Sequence, residues 1–283
     1  MLAALVFIPI LVWLIRTGGL PYGIYCLVLL GVASFEFFRM GRDPLPPVHL
    51  ALGLGATLAG PLASMGVLDS GSLSPGSRLS AGALLLASAL GMLWDALRGR
   101  SAGALQRAGR LALGCLYVGG MGGYLLSLRA GGNAGALTAS GAGHSLQVPG
   151  WAAVTLAYAL TWTNDTGSYV AGLLVGRTPL SSISPSKTRE GAVGGFLVTI
   201  LLGWALGCTV FPWLGAARGV ALGALVSVAA QAGDLLESMW KRDLGSKDSA
   251  RLIPGHGGAL DRFDSLFFAA PVLFYFLRWS SLI

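Results

Sequence analysis

The sequence predicts an all-α, polytopic integral membrane protein with about nine transmembrane helices and a cytoplasmic N-terminus. Three observations predict it. Hydrophobic residues make up 54% of the 283 and charged residues only 11%. Apolar runs of bilayer-spanning length, about 20 residues, follow one another along the whole chain. Basic residues collect in alternate connections between those runs. A soluble chain carries about 25% charged residues, so these few could not cover a water-exposed surface. Mean hydropathy is +0.70. Backbone inside lipid must bond internally, which makes the runs helices and not open strands.

The first run, 2–15, has no basic residue ahead of it and no small-x-small cleavage site after it. It is expected to be a short retained membrane segment and not a signal peptide. Further spans are expected near 19–38, 48–68, 79–97, 109–128, 150–175, 191–212, 217–239 and 260–281. The run Gly119-Gly120-Met121-Gly122-Gly123 permits close helix packing. It lies mid-span with no Lys-Ser/Thr after it, so it is no phosphate loop.

Orientation follows from the basic residues. The even-numbered connections hold Arg39 and Arg42; Arg98, Arg100, Arg107 and Arg110; Arg177, Lys187 and Arg189; and Lys241, Arg242, Lys247 and Arg251. The odd-numbered ones hold Arg16, Arg78, Arg129 and Arg218. By the positive-inside rule the even connections are cytoplasmic, with the N-terminus inside and the C-terminus outside. The net charge of +7 is thereby assigned to topology, and no nucleic-acid partner is expected. Cys26, Cys115 and Cys208 lie in apolar runs without metal-ligand spacing, and are expected to be buried small hydrophobes. The stretches 69–78 and 129–149 are Gly/Ser/Ala-rich and suit outward loops, with His144 a solvated loop residue. The stretch 98–110 is basic without acidic partners and is expected to meet anionic lipid headgroups.

Ionisable residues inside spans are expensive and mark function. Asp165 falls roughly ten residues, on the order of 15 Å, from the end of the sixth span. Asp234 and Glu237 close the eighth span and Asp261 and Asp264 open the ninth. Each pair is three apart and shares a helix face. Massed carboxylates need compensation. Pairing with Arg262, Lys241 or Arg242 serves some of them, but buried pairs seldom add net stability. An oxygen-only ligand set favours Mg²⁺, Ca²⁺ or Mn²⁺, and Mg²⁺ leaves room for substrate phosphates. Beside these acids run Ser238 to Asp248 and Pro254-Gly255-His256-Gly257-Gly258, with Lys241, Arg242 and Lys247 suited to phosphate. The stretch Ser184-Pro185-Ser186-Lys187-Thr188-Arg189 opens the seventh span. Backbone N–H groups there, with Lys187 and two hydroxyls, form an anion site.

From Ser238 to Asp264 the sequence resembles the phosphatidate cytidylyltransferase (CDP-diacylglycerol synthase) family. The shared pattern is Ser-x-x-Lys-Arg, four residues, Lys-Asp, a spacer, then His-Gly-Gly-x-x-Asp-Arg-x-Asp, met here without a gap. Gly233-Asp234-Leu235-Leu236-Glu237, Asn164-Asp165 with Tyr169, Gly172 and Gly176-Arg177, and the Ser184-Pro185 to Gly195 stretch also fit. Trp240, Ala259 and Ser168 depart from residues usual in the family, and none removes a charged or glycine position.

The resemblance implies CTP + phosphatidate → CDP-diacylglycerol + pyrophosphate, a magnesium-dependent transferase reaction of phospholipid biosynthesis. It implies a homodimer in the cell inner (plasma) membrane with the site facing the cytoplasm. The whole of 1–283 would be one membrane domain, 1–149 the less distinctive helices and 150–283 the catalytic ones. It makes Asp234 and Asp261 the metal ligands, with a monovalent cation such as K⁺ nearby. Lys241, Arg242, Lys247, Asp248, His256 and Asp264 are then the expected catalytic residues. Asn164, Asp165, Ser184, Ser186, Lys187, Thr188, Arg189, Glu237 and Arg262 are the expected substrate-binding ones.

Two rivals share parts of this pattern. A CTP-dependent lipid kinase would transfer the terminal phosphate and leave CDP. A secondary transporter also uses intramembrane acids, but these charges gather at one edge and no inverted repeat is visible. A purely structural lipid-binding protein would not need five acids at one locus.

Overall fold

The computed structural model describes residues 2–63, 65, 75–131, 148–246, 249–250 and 257–280. Among these the regular structure is helical, and no strand longer than an isolated bridge occurs. The helices are α1 (Leu2–Thr17), α2 (Gly19–Arg39), α3 (Pro47–Leu62), α4 (Pro75–Leu97), α5 (Ala104–Gly114), α6 (Tyr124–Gly131), α7 (Gly150–Val175), α8 (Arg189–Cys208), α9 (Ala216–Asp243) and α10 (Leu260–Trp279). A wider π-helical stretch, Cys115–Met121, joins α5 to α6. Among the described residues four segments are long and apolar enough to cross a membrane: α2, the α5–α6 run, α8 and α9. Shorter apolar helices accompany them, as befits a polytopic membrane protein. Large apolar side chains on α8, among them Leu197 and Leu201, are more than half exposed. They suit a hydrocarbon surrounding.

Every expected span has its helix among the described residues, the sixth with the expected ends and the others with one or both ends shifted. The third is α-helical over Pro47–Leu62, and the seventh and eighth begin at Arg189 and Ala216. The largest correction concerns the fifth, which begins at Ala104, inside what reads as a basic loop. The reason is side-chain pairing. Arg107 Nε donates to Asp95 Oδ2 at 2.8 Å, so that loop does have an acidic partner. Cys208 is a second correction: Cys26 and Cys115 are buried, whereas Cys208 ends α8 on its exposed side. The 69–74 and 132–147 parts of the two outward loops, with His144, lie outside the described residues.

The chain divides into two compact units, each assembled from two stretches. The first takes Met1–Leu126 and Lys241–Phe263. In it α3 packs along both α2 and α4, and the π-helical stretch lies against α3. A Cβ on Gly119 would lie 2.6 Å from the Thr57 carbonyl oxygen, so the glycine run does serve helix packing. Three elements are tied together where His49 Nε2 and Arg107 Nε meet Asp95 Oδ2, at 3.2 and 2.8 Å. Arg110 caps α2 by donating to the Phe37 and Asp43 carbonyls, each at 2.9 Å. The turn after α2 grips the turn after α9, with Arg42 N donating to the Leu244 carbonyl at 3.2 Å.

The second unit takes Ser127–Trp240 and Asp264–Ile283. Here α7 runs along α8. α8 and α9 meet backbone to backbone at Gly203 and Gly219, where a Cβ on either would strike the other's carbonyl oxygen.

Candidate functional site

In the second unit three carboxylates converge. Asp234 and Glu237 lie one turn apart on α9 and Asp264 lies in α10. One oxygen from each falls within 4.8 Å of the others. Glu237 and Asp264 are buried, while the Asp234 side chain is 34% exposed. Three acids so close, two of them buried, demand positive charge. One source is present, because the Lys187 ammonium lies against the Asp234 carboxylate. Three oxygen donors within mutual reach and open on the Asp234 side fit a hard divalent cation.

Lys187 is delivered by a folded loop between α7 and α8. Leu180 N donates to the Lys187 carbonyl at 2.7 Å and Arg189 N to the Thr178 carbonyl at 2.9 Å, around an antiparallel bridge from Pro179 to Thr188. Lys187 N donates to the Ser184 carbonyl at 3.1 Å. Thr188 then caps α8, its hydroxyl oxygen accepting from Gly191 N at 3.1 Å. Glu190 accepts from the Arg177 and Thr178 amides, both at 3.1 Å. The loop is thereby hydrogen-bonded on both sides of the lysine.

A polar stripe on α9 continues the site. Ser227, Gln231, Asp234 and Glu237 repeat at intervals of four, three and three residues, which aligns them on one helix face. Ser227 Oγ and Gln231 Nε2 donate to Asn164 Oδ1 at 2.6 and 3.1 Å. Gln231 Nε2 also reaches the Ala192 carbonyl at 3.0 Å. Asn164 is 1% exposed, and its amide nitrogen lies 3.2 Å from Asp165 Oδ1. Its oxygen is committed to α9, so Asn164 orients Asp165 from the protein side. Asp165 itself is exposed.

The first unit holds the other acid of the predicted set. Asp261 Oδ1 accepts from Lys241 Nζ at 2.9 Å. Ser249 N and Gly258 N donate to its Oδ2 at 3.2 and 2.9 Å. Two ion pairs engage acids of this set, Asp261 with Lys241 and Asp234 with Lys187. Nearby, Glu36 of α2 accepts from the Ala259 and Leu260 amides at 2.9 and 2.7 Å.

The structure therefore groups Asp234, Glu237, Asp264 and Lys187 in one unit and Asp261 with Lys241 in the other. Ser184 is buried, and Ser186, Arg189 and Arg262 are exposed. Arg242 turns back to the Ser246 carbonyl at 3.4 Å. Lys247, Asp248 and His256 lie outside the described residues. Sequence reasoning missed Glu36, Ser227, Gln231 and Ser249. A polar residue inside an apolar run was the available signal for the first three.

A family profile described as the cytidylyltransferase family matches residues 1–280. A phosphatidate cytidylyltransferase of Synechocystis sp. is 49% identical over 123 residues, 43% of this chain and 42% of that protein. An Escherichia coli protein named uncharacterized protein YnbB is 43% identical over 122 residues, 43% of this chain and 41% of that protein. A phosphatidate cytidylyltransferase of Staphylococcus epidermidis is 42% identical over 121 residues, 42% of this chain and 46% of that protein. Each alignment spans less than half the length of the curated relative it matches.

Proposed function

This chain belongs to the cytidylyltransferase family, and on that footing we propose that it transfers CMP from CTP to phosphatidate. The products are CDP-diacylglycerol and pyrophosphate. The observation that carries the reading is the Asp234, Glu237 and Asp264 trio with Lys187 against it. Relatives named for this reaction support it.

A phosphate oxygen of the lipid attacks the α-phosphorus of CTP. The new P–O bond replaces the bond to the bridging oxygen, and the electron pair leaves with pyrophosphate. The nucleophile is already ionised at neutral pH, so no strong base is needed. The obstacle is bringing one polyanion to another, which such sites solve by positioning and charge neutralisation. Asp234, Glu237 and Asp264 would hold a divalent cation of the Mg²⁺ class, which supplies charge neutralisation to the triphosphate. The resemblance gives Asp261 the same duty, and Lys241, Ser249 and Gly258 hold its carboxylate in place.

Lys187 sits on a hydrogen-bonded loop beside the trio, where it can exchange the Asp234 carboxylate for a triphosphate oxygen. Asp165, aimed by Asn164, is a further exposed acid of this unit. Ser186 and Arg189 present further donors from the Lys187 loop. The resemblance assigns Lys247 and His256 to phosphate and counts Asp248 among the catalytic residues. The bias of basic residues supports a site at the cytoplasmic face, where CTP is available, and the resemblance adds the cell inner (plasma) membrane. The resemblance adds a homodimer.

The test is transfer of label from α-³²P-CTP into lipid by the detergent-purified protein with phosphatidate and Mg²⁺. Label in the lipid fraction, lost with EDTA and in Asp234→Asn, is the expected result. Transfer that survives full chelation, or a fully active Asp234→Asn, contradicts the reading.

A further inference from the structure

We propose that Glu36 is a positioning residue for the Asp261 segment, acting from a helix more than 200 residues away in sequence. Glu36 lies near the end of α2 and is 1% exposed. Its Oε1 accepts from Ala259 N at 2.9 Å, and its Oε2 from Leu260 N at 2.7 Å and from the Ser249 hydroxyl at 3.2 Å. The first amides of a helix have no partner inside the helix, and a carboxylate there also meets the positive end of the helix dipole. Helices usually take this cap from the residue just ahead. Here α2 supplies it to α10.

Glu36 and Asp261 clamp the same two chain segments. Ser249 gives its hydroxyl to Glu36 and its amide to Asp261. Gly258 gives its amide to Asp261, while the next two amides go to Glu36. A Cβ at Gly258 would lie 2.5 Å from Glu36 Oε2 and would strike the Ser249 hydroxyl. Only glycine lets the two carboxylates close on this loop. The Asp261–Lys241 pair therefore inherits its position from Glu36. A buried carboxylate satisfied by three neutral donors is costly to place, and its position at this loop gives it a task.

This inference deepens the proposed function, since it rests on Asp261 serving the magnesium–nucleotide substrate. The experiment is Glu36→Gln in the full chain, with two readouts. Hydrogen exchange at the Ala259 and Leu260 amides is expected to rise about tenfold or more, the effect of losing a charge-assisted bond. The Mg²⁺ concentration for half-maximal rate is expected to rise by a similar factor, with the KM for phosphatidate unchanged. Ser249→Ala, which keeps the buried charge, is expected to shift both in the same direction by about twofold to fivefold. It serves if the Gln variant does not fold.

A role in stability alone would lower the melting temperature and leave both readouts of the folded enzyme unmoved; that result overturns the proposal. Unchanged exchange overturns it whatever the activity. A wild-type protein without lipid labelling would refute the proposed function, while the exchange readout would still decide the Glu36 contact.

Discussion

Lys187 sets its ammonium against the Asp234 carboxylate, with the lysine side chain 29% exposed and the aspartate 34%. The acid belongs to α9 and the base to the loop ahead of α8, so the contact joins the carboxylate trio to the segment the sequence marks as an anion site. The pair is partly open to water. It is therefore exchangeable in a way that the buried Glu237 is not.

Lys187→Met removes that ammonium while keeping the length of the side chain. The KM for CTP is expected to rise about tenfold to a hundredfold, the effect of one charged hydrogen bond to phosphate. Mn²⁺ binding without nucleotide, read by electron paramagnetic resonance, is expected to tighten because Asp234 loses its competing cation. An unchanged Mn²⁺ affinity would contradict the exchange.

Glu237→Gln and Asp264→Asn each remove one charge from the trio without changing shape. Each is expected to raise the Mg²⁺ concentration for half-maximal transfer by about tenfold or more, with smaller effects at saturating Mg²⁺. Titration of the rate against Mg²⁺ checks this. Equal loss at all Mg²⁺ concentrations would assign these acids to another task.

Asn164→Leu would leave the Ser227 hydroxyl and the Gln231 amide without their shared acceptor inside the second unit. The expected destabilisation is about 1–3 kcal/mol for each donor so stranded. The melting temperature in detergent should fall, and Gln231→Leu in the same background should restore part of it. An unaltered melting temperature would show that the network contributes nothing.

Asp95→Ala would remove the common partner of His49 and Arg107 in the first unit. Breaking a buried pair from one side costs about 3–5 kcal/mol. Thermal unfolding should report the loss, while transfer per folded molecule stays near wild type, since this cluster touches no proposed substrate group. A fall in the rate constant at unchanged stability would give the cluster a catalytic part.

The helices were legible because the apolar runs are long and the loops few, and no competing fold suits such a composition. Their ends were less so. Arg107 and Arg110 read as loop residues, yet Asp95 and the carbonyls ending α2 draw them into α5. Hydropathy cannot see a partner in another helix. The acids of the C-terminal segments were legible as a set, from their spacing and the motif around them. Glu36 was not, although an acid inside an apolar run such as Phe35-Glu36-Phe37-Phe38 is already anomalous. What it caps lies more than 200 residues away, and no local pattern carries that distance. Gln231 and Ser227 were hidden for the same reason, because their shared partner is Asn164 on α7.

The most direct measurement uses CTP labelled at either the α- or the γ-phosphorus, supplied with phosphatidate and Mg²⁺ to the purified protein. The account predicts that α-label enters the lipid as CDP-diacylglycerol and γ-label leaves as pyrophosphate. If γ-label enters the lipid and CDP is released, the protein is a kinase and the account is wrong.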